Sequence, residues 1–385
     1  MVCRATADPF VLALFVDVGG MTADSFLLDF ESPLEGKRVL VTGHTGFTGG
    51  WLVSWLKLVG CDVAGLALAP ATEPNLFAAA DIADGMASTL GDIRDFAVVR
   101  SAVERHRPSV IIHLAAQPLV LKSFADPLET FATNALGTAH VLEAARLVPD
   151  VKAVVCITTD KVYRDQDWVW GYREQDPLGG KDPYSASKAC AELVAASYRA
   201  TLAERGNGVL IANARGGNII GGGDWSADRI VPDFVRAVAA RQPINLRNPA
   251  AVRPWQHVVA LVHGYLVLAA RLLSGDRAAA DNWNFGPNDE AARTVGDLVE
   301  QLSTIWTRPQ ITCMPGSFPE TRFLHLDSTK ARTQLGWTPP LSFADTVELT
   351  ANWYRDFTAS PDQAAQITAS QIEQYRQAVR IHVGR

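Results

Sequence analysis

The chain has 385 residues, 48% hydrophobic and 20% charged, with a formal net charge of −6, and its length suits two domains or one large α/β domain with an appended lobe. The negative balance excludes a general nucleic-acid binder, and no apolar run approaches the roughly 20 residues that cross a bilayer. The five cysteines (Cys3, Cys61, Cys156, Cys190 and Cys313) are scattered without a Cys-x-x-Cys, and the eight histidines lack ligand spacing, so reduced thiols, a cytoplasmic location and no metal are expected.

In chain order, residues 1–35 read as an N-terminal extension. Its apolar run Phe10–Val16 is short and has a single Arg4 before it, with no clear cleavage site, so residues 1–20 are expected to contribute nothing to function. From Lys37 onward, apolar runs alternate with helix-length amphipathic stretches, which predicts α/β architecture: a doubly wound parallel sheet, Rossmann-like, with a smaller C-terminal lobe. Predicted strands are Arg38–Thr42, Asp62–Leu68, Val110–Leu114, Ala153–Ile157 and Val209–Asn213, with helices near 47–59, 95–106, 128–147 and 185–204. Residues 36–214 are read as a dinucleotide-binding domain and 215–358 as a substrate-binding lobe. Within the lobe, helices and short strands are expected near 231–240, 257–273, 295–306, 328–335 and 342–356. Residues 359–385 are polar and read as a tail or surface helix.

The first strand runs into Gly43-His-Thr-Gly46-Phe-Thr-Gly49. Glycines so placed between a buried strand and a helix permit a tight turn and close approach of a dinucleotide, whose pyrophosphate meets the free N–H groups of the helix start. Gly43, Thr45, Gly46, Phe47 and Gly49 are therefore candidate cofactor contacts; the plain alternative is a tight turn. The acidic residue expected about 20 positions on, to hold the ribose hydroxyls, is replaced by Ala69. No arginine stands there for a 2′-phosphate, though His44 lies in the loop, and NAD is the expected cofactor. Asp92 and Ile93 are expected to flank the adenine, and Leu114, Ala115, Ala116 and Gln117 to let backbone pass close to the cofactor; for Asp92 and Gln117 ordinary loop polarity is the alternative.

After the predicted strand Ala153–Ile157 comes Thr158-Thr159-Asp160-Lys161, and after that Tyr184-x-x-x-Lys188. Polar residues at the carboxyl end of a parallel strand sit where such folds bind ligands. Asp160 and Lys161 reach one ligand together only if the strand has ended there. Tyr184 and Lys188 share one helix face, and an ammonium beside a phenol is expected to pull its pKa far below ~10. That makes a base for a sugar hydroxyl.

Gly43-x-x-Gly-x-x-Gly49, Thr159-Asp160 and Tyr184-x-x-x-Lys188 together resemble an extended short-chain dehydrogenase/reductase. Further blocks resemble its CDP-glucose 4,6-dehydratase branch: Trp168-Val-Trp-Gly-Tyr-Arg-Glu174, Asp176–Gly180, Gly217–Trp225, Asp228–Ile230, Arg247–Pro249 and Arg253–Val258. The likeness spans roughly 35–358. It implies a hydro-lyase that uses NAD to dehydrate CDP-glucose to CDP-4-dehydro-6-deoxyglucose, in deoxysugar and polysaccharide biosynthesis. It also implies a homodimer or homotetramer joined through helices near 95–106 and 128–147. Tyr184 would take the 4-hydroxyl proton, Lys188 hold the cofactor ribose and Thr159 bond the 4-oxygen. Asp160 would be the acid of the elimination, and Lys161 the base at C5 or the group that stabilises the enolate. Asn134 would help fix local structure near the site.

For the substrate, Arg229 and Arg253 are candidates for the pyrophosphate, Asn218 for diphosphate or sugar, and Arg247, Trp255, Gln256 and His257 for ribose and base. Plain alternatives are core packing for Trp255, a satisfied helix-start histidine for His257 and a surface ion pair for Arg247. Thr48, Lys181 and Ala69 depart from the family pattern and bear on cofactor preference. Alternative readings are another nucleotide-sugar dehydratase or a 4-epimerase on dTDP- or UDP-sugars, and a non-catalytic nucleotide sensor.

Overall fold

Strands rich in Val, Ile and Leu need cover on both faces, and Val39, Leu40, Val41, Val110, Ile111, Ile112, Val154 and Val155 are all fully or almost fully buried. The computed structural model describes residues 29–204, 208–287, 293–314 and 324–383; the expectation for residues 1–20 lies outside them. Seven parallel strands form the central sheet: β1 (Arg38–Thr42), β2 (Asp62–Ala67), β3 (Ala87–Leu90), β4 (Val110–His113), β5 (Ala153–Ile157), β6 (Leu210–Gly216) and β7 (Asn282–Phe285). Their order is β7-β6-β5-β4-β1-β2-β3, with Val39 in register with both Val63 and Val110. The chain winds one way from β1 to β3, then crosses to β4 and winds the other way. The carboxyl ends of β1 and β4 thus bracket the crevice where such sheets bind ligands.

β3 and β7 depart from the sequence reading. β3 is a largely exposed edge strand of Ala, Ser and Thr, so it carries little apolar signal. β7 reads Asn-Trp-Asn-Phe and comes from beyond residue 215, so the sheet does not respect a boundary at 214. The helix Val258–Leu273, also from that part of the chain, is buried along nearly its whole length within the main core.

The helix expected over 128–147 runs from Pro127 to Leu147 with a wide π-type turn at Ala132–Leu136 inside it, and a separate short helix, Val120–Ala125, precedes it. Pro127 begins a new helix because it lacks the N–H that would continue the old one, and Asp126 caps that start. The segment near 328–335 is likewise a π-type turn, Ala331–Leu335. The expected tail is the helix Ala364–Val383, docked by one face: Ile372, Tyr375 and Val379 are buried, and Trp353 Nε1 donates to Thr368 Oγ1 at 3.0 Å. The end of the N-terminal extension is also held in the core, through Phe30 and Leu34. No helix among the described residues is long and apolar enough to cross a membrane.

Candidate active site

The glycine loop leaves β1 at Gly43, whose φ of +79° suits a residue without a side chain. A Cβ there would lie 2.8 Å from the Ala115 nitrogen, and one at Gly49 would lie 2.2 Å from the Gly43 oxygen. Both glycines are required by the protein's own packing. Gly46 is different: its Cβ would meet only the Gly43 oxygen, at 3.4 Å. Gly46 also N-caps the helix Phe47–Leu58 without a side-chain hydrogen bond, so its first-turn N–H groups stay available to an anion. This cradle fits a dinucleotide pyrophosphate. Gly46→Ala is therefore expected to melt like the parent but bind NAD about tenfold or more weakly, since the added carbon intrudes only on the ligand's space. Gly49→Ala is expected to lose the fold itself. Thermal melts and NAD titration distinguish them, and unchanged NAD affinity in Gly46→Ala removes the cradle argument.

Around the loop, several expected contacts hold other partners. Thr45 Oγ1 donates to the Leu68 oxygen at 2.8 Å. Ile93 is buried against Gly137, so its side chain serves the core. Asp92 is gripped by Arg94 at 2.8 and 2.6 Å, and that hydrogen-bonded guanidinium holds its carboxyl below the usual range. His44 is not a cation awaiting a phosphate: its ring is buried beneath Gly65, Nε2 pairs with Ser88 Oγ at 2.8 Å, and burial pushes its pKa down to about 4. Leu114 continues β4, bonding to Thr42, and leads through Ala115 and Ala116 to Gln117. The Gln117 N–H donates to Asn134 Oδ1 at 2.8 Å, and Asn134 Nδ2 reaches both the Gln117 oxygen and Ser187 Oγ, at 3.1 and 2.9 Å. Asn134, in the π-type turn, thereby joins the loop after β4 to the helix that carries Tyr184 and Lys188.

β5 ends at Ile157 and the chain turns into a short 3-10 helix, Asp160–Val162, so Asp160 and Lys161 do share one side. Thr159 caps that turn, donating to Asp160 Oδ1 at 2.9 Å and accepting from the Lys161 N–H at 3.3 Å. Lys161 Nζ lies 3.3 Å from the same Oδ1, with the lysine side chain 35% exposed and the aspartate 1%. Asp160 Oδ2 is buried with no partner among the described residues. Tyr184 enters the helix Pro183–Glu204 in its first turn, behind Asp182, which bonds both the N–H and the hydroxyl of Ser185.

The expected effect of Lys188 on Tyr184 needs correction. Lys188 Nζ donates to the Ile157 oxygen at 2.9 Å, and burial pushes its pKa down to about 8. Burial also dominates at Tyr184, pushing the phenol up to about 12, against the pull of a Thr159 hydrogen bond and the charge of Arg229. The lysine's nearness along the helix does not outweigh the loss of water around the ring.

Beneath these residues lies a buried ion pair, Glu192 with Arg215, which the sequence reading passed over. Arg215 Nε bonds the carboxylate at 2.8 and 3.0 Å, and Thr158 Oγ1 donates to Glu192 Oε1 at 2.6 Å.

Beyond the Asp160–Val162 turn opens a cleft of about 730 Å³, walled in part by Trp168, Trp170, Arg253, Trp255, Arg293 and Phe343. Thr159, Tyr184 and Lys188 are not among its lining residues. It meets the turn at Pro254: a Cβ on Gly217 would lie 2.8 Å from the Pro254 ring and 2.9 Å from Asp160 Oδ2. Arg253 and Trp255 stand in the wall, the latter with its indole N–H unpartnered among the described residues. Asn218 Oδ1 is likewise buried and unpartnered, and Arg229 is half-buried at the start of the helix Ile230–Ala240. Arg247 sits at the surface beside Asp228, 3.8 Å away. His257 lines the cleft yet is fully buried: its Nδ1 accepts the Val259 N–H at 3.2 Å to cap the helix Val258–Leu273, its Nε2 has no partner among the described residues, and burial pushes its pKa down to about 3. The helix-start reading of His257 describes its Nδ1 alone. Trp168 and Trp170 were visible in the sequence as a tryptophan-rich block with no role attached, whereas Arg293 carried no signal.

Comparison with known proteins follows the same lines. The family described as GDP-mannose 4,6 dehydratase matches residues 40–350. The chain is 45% identical over 334 residues to CDP-glucose 4,6-dehydratase of Salmonella typhimurium, covering 85% of this chain and 93% of that protein. It is 29% identical over 347 residues to dTDP-glucose 4,6-dehydratase of Streptomyces niveus, covering 85% and 97%. Among solved structures, UDP-glucose 4-epimerase of Thermus thermophilus in complex with NAD superposes with a TM-score of 0.72 at 25% identity, over 83% of this chain and 99% of that one. dTDP-glucose 4,6-dehydratase of Bacillus anthracis in complex with NAD gives 0.70 at 23%, over 83% and 97%, a likeness of fold.

Proposed function

The chain belongs to the GDP-mannose 4,6-dehydratase family, within the extended short-chain dehydrogenase/reductases, and from that premise we propose that it dehydrates CDP-glucose to CDP-4-dehydro-6-deoxyglucose. The reading rests on one observation: Thr159, Tyr184 and Lys188 gather with the Asp160–Lys161 pair at the carboxyl end of β5, in the same parallel sheet whose β1 ends in the glycine loop.

Tyr184 takes the proton of the sugar 4-hydroxyl, while Thr159, bonded to Tyr184, holds the 4-oxygen. Held at the Gly43–Gly49 loop and beside Lys188, NAD would supply the hydride chemistry at C4 and C6 and a positive charge that favours the phenolate. Lys188 orients the cofactor ribose from its tether on Ile157. The C4 ketone acidifies the C5 proton. Lys161, the more exposed partner, removes that proton, and buried Asp160 gives one to the departing 6-hydroxyl, which leaves as water. One proton passing from Lys161 to Asp160 across their 3.3 Å contact makes the amine base and the carboxylic acid together. Arg229 and Arg253 take the diphosphate; Trp255 and its neighbours in the cleft take the nucleoside.

The enzyme works in the cytoplasm, which its free thiols Cys61, Cys156, Cys190 and Cys313 suit, and supplies a deoxysugar precursor. It is a homodimer or homotetramer. Exposed Leu121, Leu128, Leu136 and Leu193 support a seam along the Pro183–Glu204 helix and its neighbours, in place of one that includes 95–106, which exposes no large apolar side chain. Incubating purified protein and NAD with CDP-, dTDP- and UDP-glucose tests the function. A 4-keto sugar from CDP-glucose alone is expected; an epimer, a different preferred nucleotide or no turnover overturns it. Light scattering on the same sample is expected to give at least twice the mass of one chain, and a single-chain mass removes the seam.

A further inference from the structure

Glu192 lies one turn beyond Lys188 on the same face of its helix, and Arg215 ends β6. Their side chains are each 1% exposed. Burying such a pair is expensive, and well-packed apolar residues often serve stability as well or better. Their bonding points to another use. Through Glu192 the pair holds Thr158, the residue before Thr159, at 2.6 Å. Through Arg215 it holds the Tyr163 hydroxyl at 2.6 Å, at the far end of the catalytic turn, and the Glu174 carbonyl at 3.0 Å. Tyr163 then donates to Asn284 Oδ1 at 2.6 Å, whose own N–H meets Glu174 Oε1 at 2.9 Å and whose Nδ2 meets the Tyr172 oxygen at 2.8 Å. Tyr172 in turn packs beside Trp168, ring centroids 5.4 Å apart, in the cleft wall.

We propose that the buried Glu192–Arg215 pair is a positioning device for the dehydration: it fixes the Thr158–Tyr163 turn and the Trp168–Glu174 wall in register with Tyr184 and Lys188. The proposal rests on the functional reading above. None of these groups touches the reacting atoms; each sets where another one stands. The pair has an electrostatic share as well. Glu192 is the carboxylate that faces Lys188 from its own helix, while Cys156 faces it from β5 and His113 from β4. Glu192 favours the ammonium against the burial that disfavours it.

Thr158→Val and Glu192→Gln test this, with wild type alongside and whichever of the three nucleotide-glucoses the wild type turns over. Thr158→Val leaves the ion pair whole. It is expected to fold, bind NAD normally and keep its KM, because the wall remains anchored through Glu174, while kcat falls about tenfold as the turn loosens. Glu192→Gln is expected to move the basic limb of the kcat–pH profile down by roughly half a unit or more, since an ammonium without its facing carboxylate deprotonates at lower pH. A general loss of packing would not move that limb. If Glu192→Gln strands Arg215 and fails to fold, Thr158→Val still decides. Wild-type kcat in a folded Thr158→Val, or an unmoved limb in a folded Glu192→Gln, overturns the positioning role and leaves the function standing. A wild type that turns over none of the sugars overturns the functional reading, and with it a device that has no reaction to serve.

Discussion

Tyr184→Phe is expected to lower CDP-glucose turnover by about three orders of magnitude, the middle of what a removed acid–base group costs, while the fold and NAD affinity persist. The ring is 8% exposed and stays packed when only its oxygen is removed. What disappears is the acceptor for the 4-hydroxyl proton, along with the Thr159 hydrogen bond. Because burial drives the phenol up to about 12, its bound-state ionisation depends on every nearby positive charge, Arg229 among them. The variant is best followed with 4-deuterated substrate, whose label reaches C6 only if oxidation occurs. A rate within a few-fold of wild type ends the assignment of Tyr184 as base.

Lys161→Ala is expected to reduce turnover by about 10²- to 10⁴-fold and to stop solvent exchange at C5, because the ketone forms but nothing removes its neighbouring proton. Asp160→Asn makes the sharper test. If each group worked alone, the amide would block only loss of the 6-hydroxyl, and C5 would still exchange. Lys161 Nζ and Asp160 Oδ1 are 3.3 Å apart, and in the proposed step the proton that Lys161 gives up passes to Asp160. An asparagine cannot take it, so Asp160→Asn should lose C5 exchange as fully as Lys161→Ala. Exchange at the wild-type rate in Asp160→Asn breaks the coupling, and exchange at that rate in Lys161→Ala rules out the lysine as base. Mass spectrometry of product formed in deuterium oxide reads both.

The parts of this arrangement written in short local patterns could be read from the sequence. Gly43, Gly46 and Gly49 gave the loop, continuous Val and Ile runs gave five strands, and the four-residue step from Tyr184 to Lys188 placed both on one face. What escaped depends on partners far along the chain. β7 has alternating asparagines because Asn284 bonds to Tyr163 and Glu174, contacts invisible at the level of Asn-Trp-Asn-Phe. Glu192 and Arg215 looked like ordinary helix and strand-end charges until burial brought them together. His257 carried the polarity of a ligand-binding residue, and nothing local showed that one of its ring nitrogens also caps a helix start. The phenol of Tyr184 was judged by its neighbour in sequence, whereas exclusion of water around it, set by the whole fold, decides its proton.

The helix Phe47–Leu58, whose amino end forms the pyrophosphate cradle, is braced from behind by Ala364–Val383. Tyr375 packs edge-on against Trp55, with centroids 5.9 Å apart, and Arg376 pairs with Glu31, which also accepts from the Trp55 indole. Weakening that brace is therefore expected to loosen the cradle from behind, without touching any residue that faces the dinucleotide.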